Sequence, residues 1–397
     1  MKRNTGVLVV GASASGLATA EALRRAEYPG RITLLGAEAH LPYDRPPLSK
    51  QVLSGQWRPE RTLLRPPRQL AGLDLDLILD TPALGLDAAT RTVRTARGAI
   101  IADHIVIATG ASPRTLPDSR GLRGVHVLRT LDDALALRDG LRTAQRVVVV
   151  GEGVLGSEIA ATARELGREV TLCGPLEAPM AGQLGPLVSS LLADLHRANG
   201  VRLALGAAVQ GLTECDGAVT GVALADGTVL PADLVVVAIG AAPATGWLDG
   251  SGLTLRDGVV CDPYCRAAEG VYAAGDVARW RHPVLGTEVR WENRTNATEQ
   301  AATVAAAIAG TPRPHAPISY FWTDQFATKI QVHGTVTRDA DVEIVDGDPA
   351  AGRFVVRYTR DGVVTAILGW NMAKQSRIRR QELIDGQPLV PSESRSR

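Results

Sequence analysis

A four-part unit occurs twice in this chain. Each copy is a short run of branched apolar residues, a glycine-rich turn, an alanine-rich stretch with helical spacing and a second apolar run. The first copy reads "VLVV", "GASASG" (residues 11–16), "LATAEALRRA" and "ITLLG". The second reads "RVVVV", "GEGVLG" (151–156), "SEIAATARELG" and "EVTLCG", about 140 residues further on. Short, continuously apolar runs joined by helical stretches are buried strands with crossover helices, and hence parallel sheets. "HIVIATG" (104–110), "LVVVAIG" (234–240) and "GVYAAGD" (270–276) are further strands of the same kind. The expected fold class is α/β with two Rossmann-like dinucleotide-binding domains. After about residue 315 the pattern changes to the alternating segments "DVEIV", "RFVVRYTR" and "VVTAILGW", with turns at "DGDPAAG" and "RDG". This predicts a smaller C-terminal α+β domain with an antiparallel sheet. The final "PLVPSESRSR" is polar and contains proline, so fraying is expected there.

Composition narrows the function classes. A formal net charge of +1 gives no field that would attract nucleic acid. No apolar run reaches the roughly 18 residues of a membrane span, and the first strand begins without a signal-peptide layout. A cytoplasmic protein, acting neither on nucleic acid nor in a membrane, is expected. Cys173, Cys215, Cys261 and Cys265 form no Cys-x-x-Cys pair, so they are expected to be buried small apolar residues and no metal site is expected. Lysine occurs only at positions 2, 50, 329 and 374, which singles out Lys50.

A glycine-rich strand-to-helix turn binds pyrophosphate because backbone N–H groups and the helix dipole face it and no side chain blocks the approach. In the first turn Gly11 and Gly16 are in place, but the middle position is Ser13, at an expected cost of about 1–3 kcal/mol unless its hydroxyl meets a phosphate. Glu38, about 22 residues beyond Gly16, stands where an acid reads the cofactor ribose. In the second turn Gly151, Gly153 and Gly156 all fit, but the position where the acid is expected is Gly174; Glu177, three residues later, is either a partial substitute or a solvated loop charge. A missing charge-assisted hydrogen bond of about 1.5–3 kcal/mol weakens binding roughly ten- to a hundredfold. Gly174→Glu is therefore expected to improve affinity for the dinucleotide bound on this turn.

Five further stretches, "LPYDRPPLSK" (41–50), "IVIATGASPR", "LRTLDDALALR", "VYAAGDVARW" and "FWTDQF", decide a resemblance. In this order the sequence closely resembles the FAD-dependent NAD(P)H ferredoxin, rubredoxin and putidaredoxin reductases that feed electrons to oxygenases and cytochromes P450. The resemblance covers about residues 5–375. It implies a glutathione-reductase-type fold with an FAD domain of 1–110 and 237–315, an inserted NAD(P)H domain of 111–236 and a C-terminal interface domain of 316–397. FAD is then expected at Gly11, Ser13 and Gly16, with Glu38 near its ribose, and the nicotinamide nucleotide at Gly151, Gly153 and Gly156. Arg45 and Lys50 are expected beside the flavin, with Lys50 paired to Glu158. Such a lysine stabilises negative charge as the ring is reduced, and the glutamate compensates its burial. Thr109, Gly110, Arg129, Gly275, Asp276, Glu292, Asn293 and Trp322 complete the expected cofactor site, and Lys50, Glu158, Arg294 and Trp322 the catalytic set.

The sequence also departs from that family. Where Glu-His-Trp commonly stands, it reads Glu292-Asn293-Arg294, while Asn296, Ala297, Glu299 and Gln300 match. Arg294 is expected to meet an acidic ferredoxin or an anionic small substrate. Arginines often found after the second apolar run are here Ala178 and Gly182, so NADPH gains no support and NADH is favoured as donor. Three readings follow. The leading one is an NAD(P)H-dependent reductase of a two-iron two-sulfur ferredoxin, monomeric or homodimeric. The others are a flavoenzyme repurposed for a small organic substrate and a non-catalytic FAD-binding interaction protein.

Overall fold

In the computed structural model, which describes residues 2–117 and 119–386, strand Lys2–Val10 is the centre of the first sheet. It pairs in parallel with Arg31–Leu35 on one side (Val7 opposite Ile32) and with Gly98–Ile107 on the other (Val7 opposite His104). Val271–Ala273 and Arg266–Ala268 extend one edge, Asp76–Ile78 the other, and the hairpin Ala83–Asp87/Thr92–Thr95 pairs onto Gly98–Ile107. Val7, Leu8, Val9, Ile105, Val106 and Ile107 have no solvent exposure, as expected for strands covered on both faces. Helix Ala14–Arg25 covers one face, and its Leu17, Ala20 and Leu23 share a cluster with Val304 and Ala305 of helix Arg294–Ile308.

The second sheet has the order Arg202–Leu205, Glu169–Gly174, Arg146–Val150, Leu234–Val237 and Val125–His126, all in parallel pairs. Its crossover helix is Val154–Glu165. Chain passes between the two sheets at Ala111–Pro113 and Ala241–Pro243, which pair antiparallel. Both glycine-rich turns therefore lie at the carboxyl ends of central strands, where open α/β sheets bind ligands.

The C-terminal sheet is antiparallel, in the order Tyr320–Gln325, Thr328–Gly334, Val363–Trp370, Arg353–Arg360 and Asp341–Asp348. The alternating pattern predicted the last three of these in chain order. It missed the hairpin at 320–334, where the polar "TDQ" interrupts the alternation although Thr323 and Gln325 are buried. The "DVEIV" strand is the outer edge, leaving Val342 37% and Ile344 40% exposed. "PLVPSESRSR" lies outside the described residues. All four cysteines are free, and Cys173, Cys261 and Cys265 are buried as expected. Cys215 is exposed, because its strand Val209–Cys215 belongs to a small antiparallel sheet with solvent at its end.

A buried cluster fixes the helix Arg294–Ile308 against the chain leading to the C-terminal sheet. His315 lies between Asn296 Oδ1 (2.9 Å) and Thr303 Oγ1 (3.3 Å), and its carbonyl accepts the Trp280 indole N–H (3.3 Å). Burial, reinforced by His282, lowers the His315 pKa to about 3, and burial lowers that of His333 to about 4. Between these values and the ordinary 6.5 the unfolded chain binds a proton that the native state does not, so stability is lost as the pH falls below about 6.5. Each histidine is expected to contribute a slope of up to about 1.4 kcal/mol per pH unit. Calorimetric melting from pH 8 down to pH 4 checks this, and His315→Gln removes its share of the slope.

Candidate active site

The two glycine-rich turns are built alike. Gly11 and Gly151 have φ of +124° and +113°, and a Cβ there would lie 2.1 Å from the Ala108 carbonyl oxygen and 2.3 Å from that of Ala238. A Cβ on Gly16 would lie 1.8 Å from the Gly11 carbonyl oxygen, and one on Gly156 1.7 Å from that of Gly151. These four glycines are therefore required by the backbone alone. The middle position differs. Ser13 and Gly153 are both extended N-cap residues with negative φ (−128° and −72°), and a Cβ on Gly153 would meet nothing within 4 Å. A side chain at this station strains nothing in the protein and meets only what enters the cavity. This accounts for the serine in the first turn.

Ser13 and Gly153 open onto one cavity of about 570 Å³. Arg45, Lys50, Thr109, Gly110 and Arg129 line it, as do Glu158, Gly275, Asp276, Glu292, Asn293, Arg294 and Trp322. Residues predicted from widely separated stretches thus meet on one wall. Gly11, Gly16, Gly151 and Gly156 stand behind it and shape the turns. Glu38 is also off the wall: its carboxylate accepts from Arg45 Nη2 (2.7 Å) and from the Tyr43 hydroxyl. Arg45 in turn donates to the Arg129 carbonyl (2.5 Å). Glu38 therefore orients the cavity-lining arginine, and burial raises the pKa of the Tyr43 phenol between them.

Lys50 and Glu158 are the most enclosed ion pair of the cavity, with side chains 12% and 7% exposed and Nζ 2.7 Å from Oε2. Lys50 follows the short 3₁₀ turn Pro46–Ser49, and Glu158 lies in helix Val154–Glu165, so the pair ties the first nucleotide unit to the second. Sequence reading found the pair but not its supports. Ser49 Oγ donates to Glu158 Oε2 (2.6 Å) and Thr323 Oγ1 donates to Oε1 (2.9 Å). Thr323 also accepts from Gln325 Nε2 (3.1 Å), and Gln325 Oε1 meets His196 Nε2 (2.7 Å), so the network crosses into the C-terminal sheet. Thr323 and Gln325 are uncharged, and although both lie in the "FWTDQF" stretch, the resemblance assigns a role only to Trp322 there. The one signal available was their place in a strand beside Trp322. Thr323→Val leaves one oxygen of a buried carboxylate and one amide N–H unpaired, at an expected cost of about 1–3 kcal/mol. Urea unfolding of the variant measures that cost.

Three expectations change. Arg294 is not a free cation: Nε donates to Asp44 Oδ1 (2.5 Å) and Nη1 to Thr298 Oγ1 (2.7 Å). Asn293 turns its amide to Ser319 Oγ (2.9 Å), tying the start of helix Arg294–Ile308 to the chain just before the first strand of the C-terminal sheet. The third concerns the site of the substitution expected to restore an acid. A Cβ on Gly174 would lie 1.5 Å from Glu152 Oε2, so Gly174→Glu must displace a carboxylate already there and is expected to weaken the site. Arg129 pairs with Asp276 (2.9 Å), and Glu292 with Arg290 (2.7 Å), so the carboxylates around Gly275 are held in place.

The residues present fit a bound dinucleotide. Ser15 Oγ, in the first turn of helix Ala14–Arg25, lines the cavity but is buried without a hydrogen-bond partner among the described residues. The Ser13 side chain makes no cap bond to the same helix. A buried hydroxyl without a partner beside an uncapped helix N-terminus suits an anionic group of a ligand.

Two strand–turn–helix units sharing one cavity, closed by an antiparallel C-terminal sheet, define a two-dinucleotide oxidoreductase that uses FAD and NAD(P)H. The chain belongs to the pyridine nucleotide-disulphide oxidoreductase family, which residues 5–301 match, and residues 320–394 match the reductase C-terminal family. Among curated relatives, it is 37% identical to the 5,5′-dehydrodivanillate O-demethylase ferredoxin reductase subunit of Sphingobium sp., over 96% of this chain and 93% of that one. It is 33% identical to putidaredoxin reductase CamA of Pseudomonas putida, over 99% and 94%. Among solved structures, the ferredoxin reductase for the CYP199A2 system from Rhodopseudomonas palustris superposes with a TM-score of 0.93 at 35% identity, covering 98% of this chain and 96% of that one. The covalent putidaredoxin reductase–putidaredoxin complex gives a TM-score of 0.91 at 32% identity, covering 98% and 95%. The resemblance read from the motifs and the α/β fold class are borne out. No helix among the described residues is long and apolar enough to cross a membrane.

Proposed function

We propose that this protein is an NADH-dependent reductase of a two-iron two-sulfur ferredoxin that serves an oxygenase or a cytochrome P450. In this reading the unit of residues 1–110 and 237–315 holds FAD, the inserted unit 111–236 takes the nicotinamide nucleotide, and residues 316–397 face the partner. The observation that carries it is the shared cavity, where the first turn (Ser13), the second turn (Gly153), the Lys50–Glu158 pair and Trp322 of the C-terminal sheet meet. When bound, FAD supplies the step from a two-electron hydride donor to a one-electron acceptor. The chain's own residues do the rest. The N-termini of the two crossover helices receive the cofactor phosphates, Arg129 and Asp276 hold each other at the wall, and Lys50 places a positive charge where negative charge develops. Glu158 and its hydroxyl donors keep that lysine fixed. An anionic organic substrate as electron donor is disfavoured, because the arginine that would bind it is already paired with Asp44.

Reconstitution tests this reading. Holoenzyme, NADH, a plant-type or putidaredoxin-type ferredoxin and cytochrome c are mixed, and cytochrome reduction is followed. Reduction that saturates with ferredoxin and falls to background without it is expected. Equal rates with and without ferredoxin would refute the partner assignment.

A further inference from the structure

The two nucleotide-binding units can be compared position by position within this one chain. Gly11 N donates to the Leu35 carbonyl (2.7 Å) and Gly151 N to the Cys173 carbonyl (2.8 Å). Gly36 and Gly174 therefore occupy the same station at the end of the second strand, and Glu38 of the first unit corresponds to Leu176 of the second. The residue after the leading glycine is Ala12 in one turn and Glu152 in the other. In the first unit a Cβ on Gly36 would lie 2.8 Å from the Ala12 methyl, whereas in the second the Glu152 carboxylate fills the space above Gly174.

We infer that Glu152 is the residue that selects the nicotinamide nucleotide: its carboxylate, moved from the strand end onto the turn, hydrogen-bonds the adenosine ribose diol and excludes a 2′-phosphate. This rests on the reading that residues 111–236 take that nucleotide. The Glu152 side chain is held in place, with Oε1 accepting the Leu176 N–H (3.0 Å) and the residue only 5% exposed. Oε2 points to Gly174 and accepts no hydrogen bond among the described residues. No arginine or lysine pairs with Glu152 among them either. A carboxylate at the end of the second strand is the feature by which such units hold a ribose 2′-hydroxyl, and a 2′-phosphate there meets like charge. Glycine at 174 is then the condition for this arrangement, since any side chain would occupy the space of the carboxylate. The Cys173 thiol, beneath it in the strand, has its pKa raised to about 12 by burial and by the charge of Glu152.

The test measures binding without catalysis. ADP-ribose and 2′-phospho-ADP-ribose are titrated calorimetrically into oxidised holoenzyme. The wild type is expected to bind ADP-ribose at least about tenfold more tightly. Glu152→Gln keeps the volume and the acceptor for Leu176, and should reduce the ratio to below about threefold. Gly174→Ala should weaken ADP-ribose severalfold by displacing the carboxylate, with unchanged flavin content as the check on folding. Equal binding of the two fragments by the wild type, a preference for the phosphorylated one, binding of neither, or an unchanged ratio in Glu152→Gln would each overturn the inference. Discrimination between the fragments in an enzyme whose flavin NADH does not reduce would defeat the reductase reading and leave this inference standing. Equal binding of the two fragments by an enzyme whose flavin NADH reduces would do the reverse.

Discussion

Gly16→Ala is expected to yield a protein that retains almost no flavin and is destabilised by about 3 kcal/mol or more, the range reached when a core site is overfilled. The added methyl carbon would lie 1.8 Å from the Gly11 carbonyl oxygen and 3.2 Å from a Leu34 methyl, so helix and strand must separate. That separation moves the helix N-terminus proposed to receive the cofactor phosphates. The ratio of flavin to protein absorbance after purification, together with urea unfolding, measures both effects. Ser13→Gly is the control. Because the middle position strains nothing, this change should leave stability within about 0.5 kcal/mol and flavin content unchanged or improved. A Gly16→Ala protein with full flavin content would show that the turn relaxes more readily than its geometry implies.

Lys50→Met is expected to slow reduction of the bound flavin by NADH about a hundredfold, the effect of removing one preorganised charge from a developing anion. It also leaves Glu158 buried without its cation. Removing one member of a buried pair costs about 3–5 kcal/mol, and the Ser49 and Thr323 hydroxyls that remain place this case at the lower end. The double variant Lys50→Met/Glu158→Gln separates the two consequences. It should regain most of the lost stability, since no unpaired charge remains, yet stay as slow as Lys50→Met. Recovery of the rate along with stability would mean that Lys50 holds the structure and takes no part in the chemistry.

These effects indicate what was legible in the sequence. Buried parallel strands announce themselves as unbroken apolar runs, and the turns after them by glycine spacing, so both central sheets and the carboxyl-end site could be read from residues 6–16 and 146–156. Lys50 stood out because lysine is scarce, and family resemblance supplied its partner. What was not legible depends on side-chain direction across units distant in sequence. Thr323, Gln325 and His196 form the support behind Glu158, yet each is an ordinary polar residue in its own segment. Arg294 read as a free cation because Asp44 is 250 positions away. Gly174 read as a missing acid because spacing rules place the acid on the strand, whereas here the carboxylate reaches the same point from the turn. The substitution expected to restore binding is, for that reason, expected to weaken it.

In the proposed function, electrons enter this protein from a nicotinamide nucleotide bound on the second turn. Anaerobic stopped-flow mixing of the holoenzyme with NADH, and separately with NADPH, tests it most directly through the oxidised-flavin band near ~450 nm. Bleaching by NADH at about 10 s⁻¹ or faster is expected, with NADPH much slower at equal concentration. A flavin that stays oxidised with both nucleotides at millimolar concentration would contradict it.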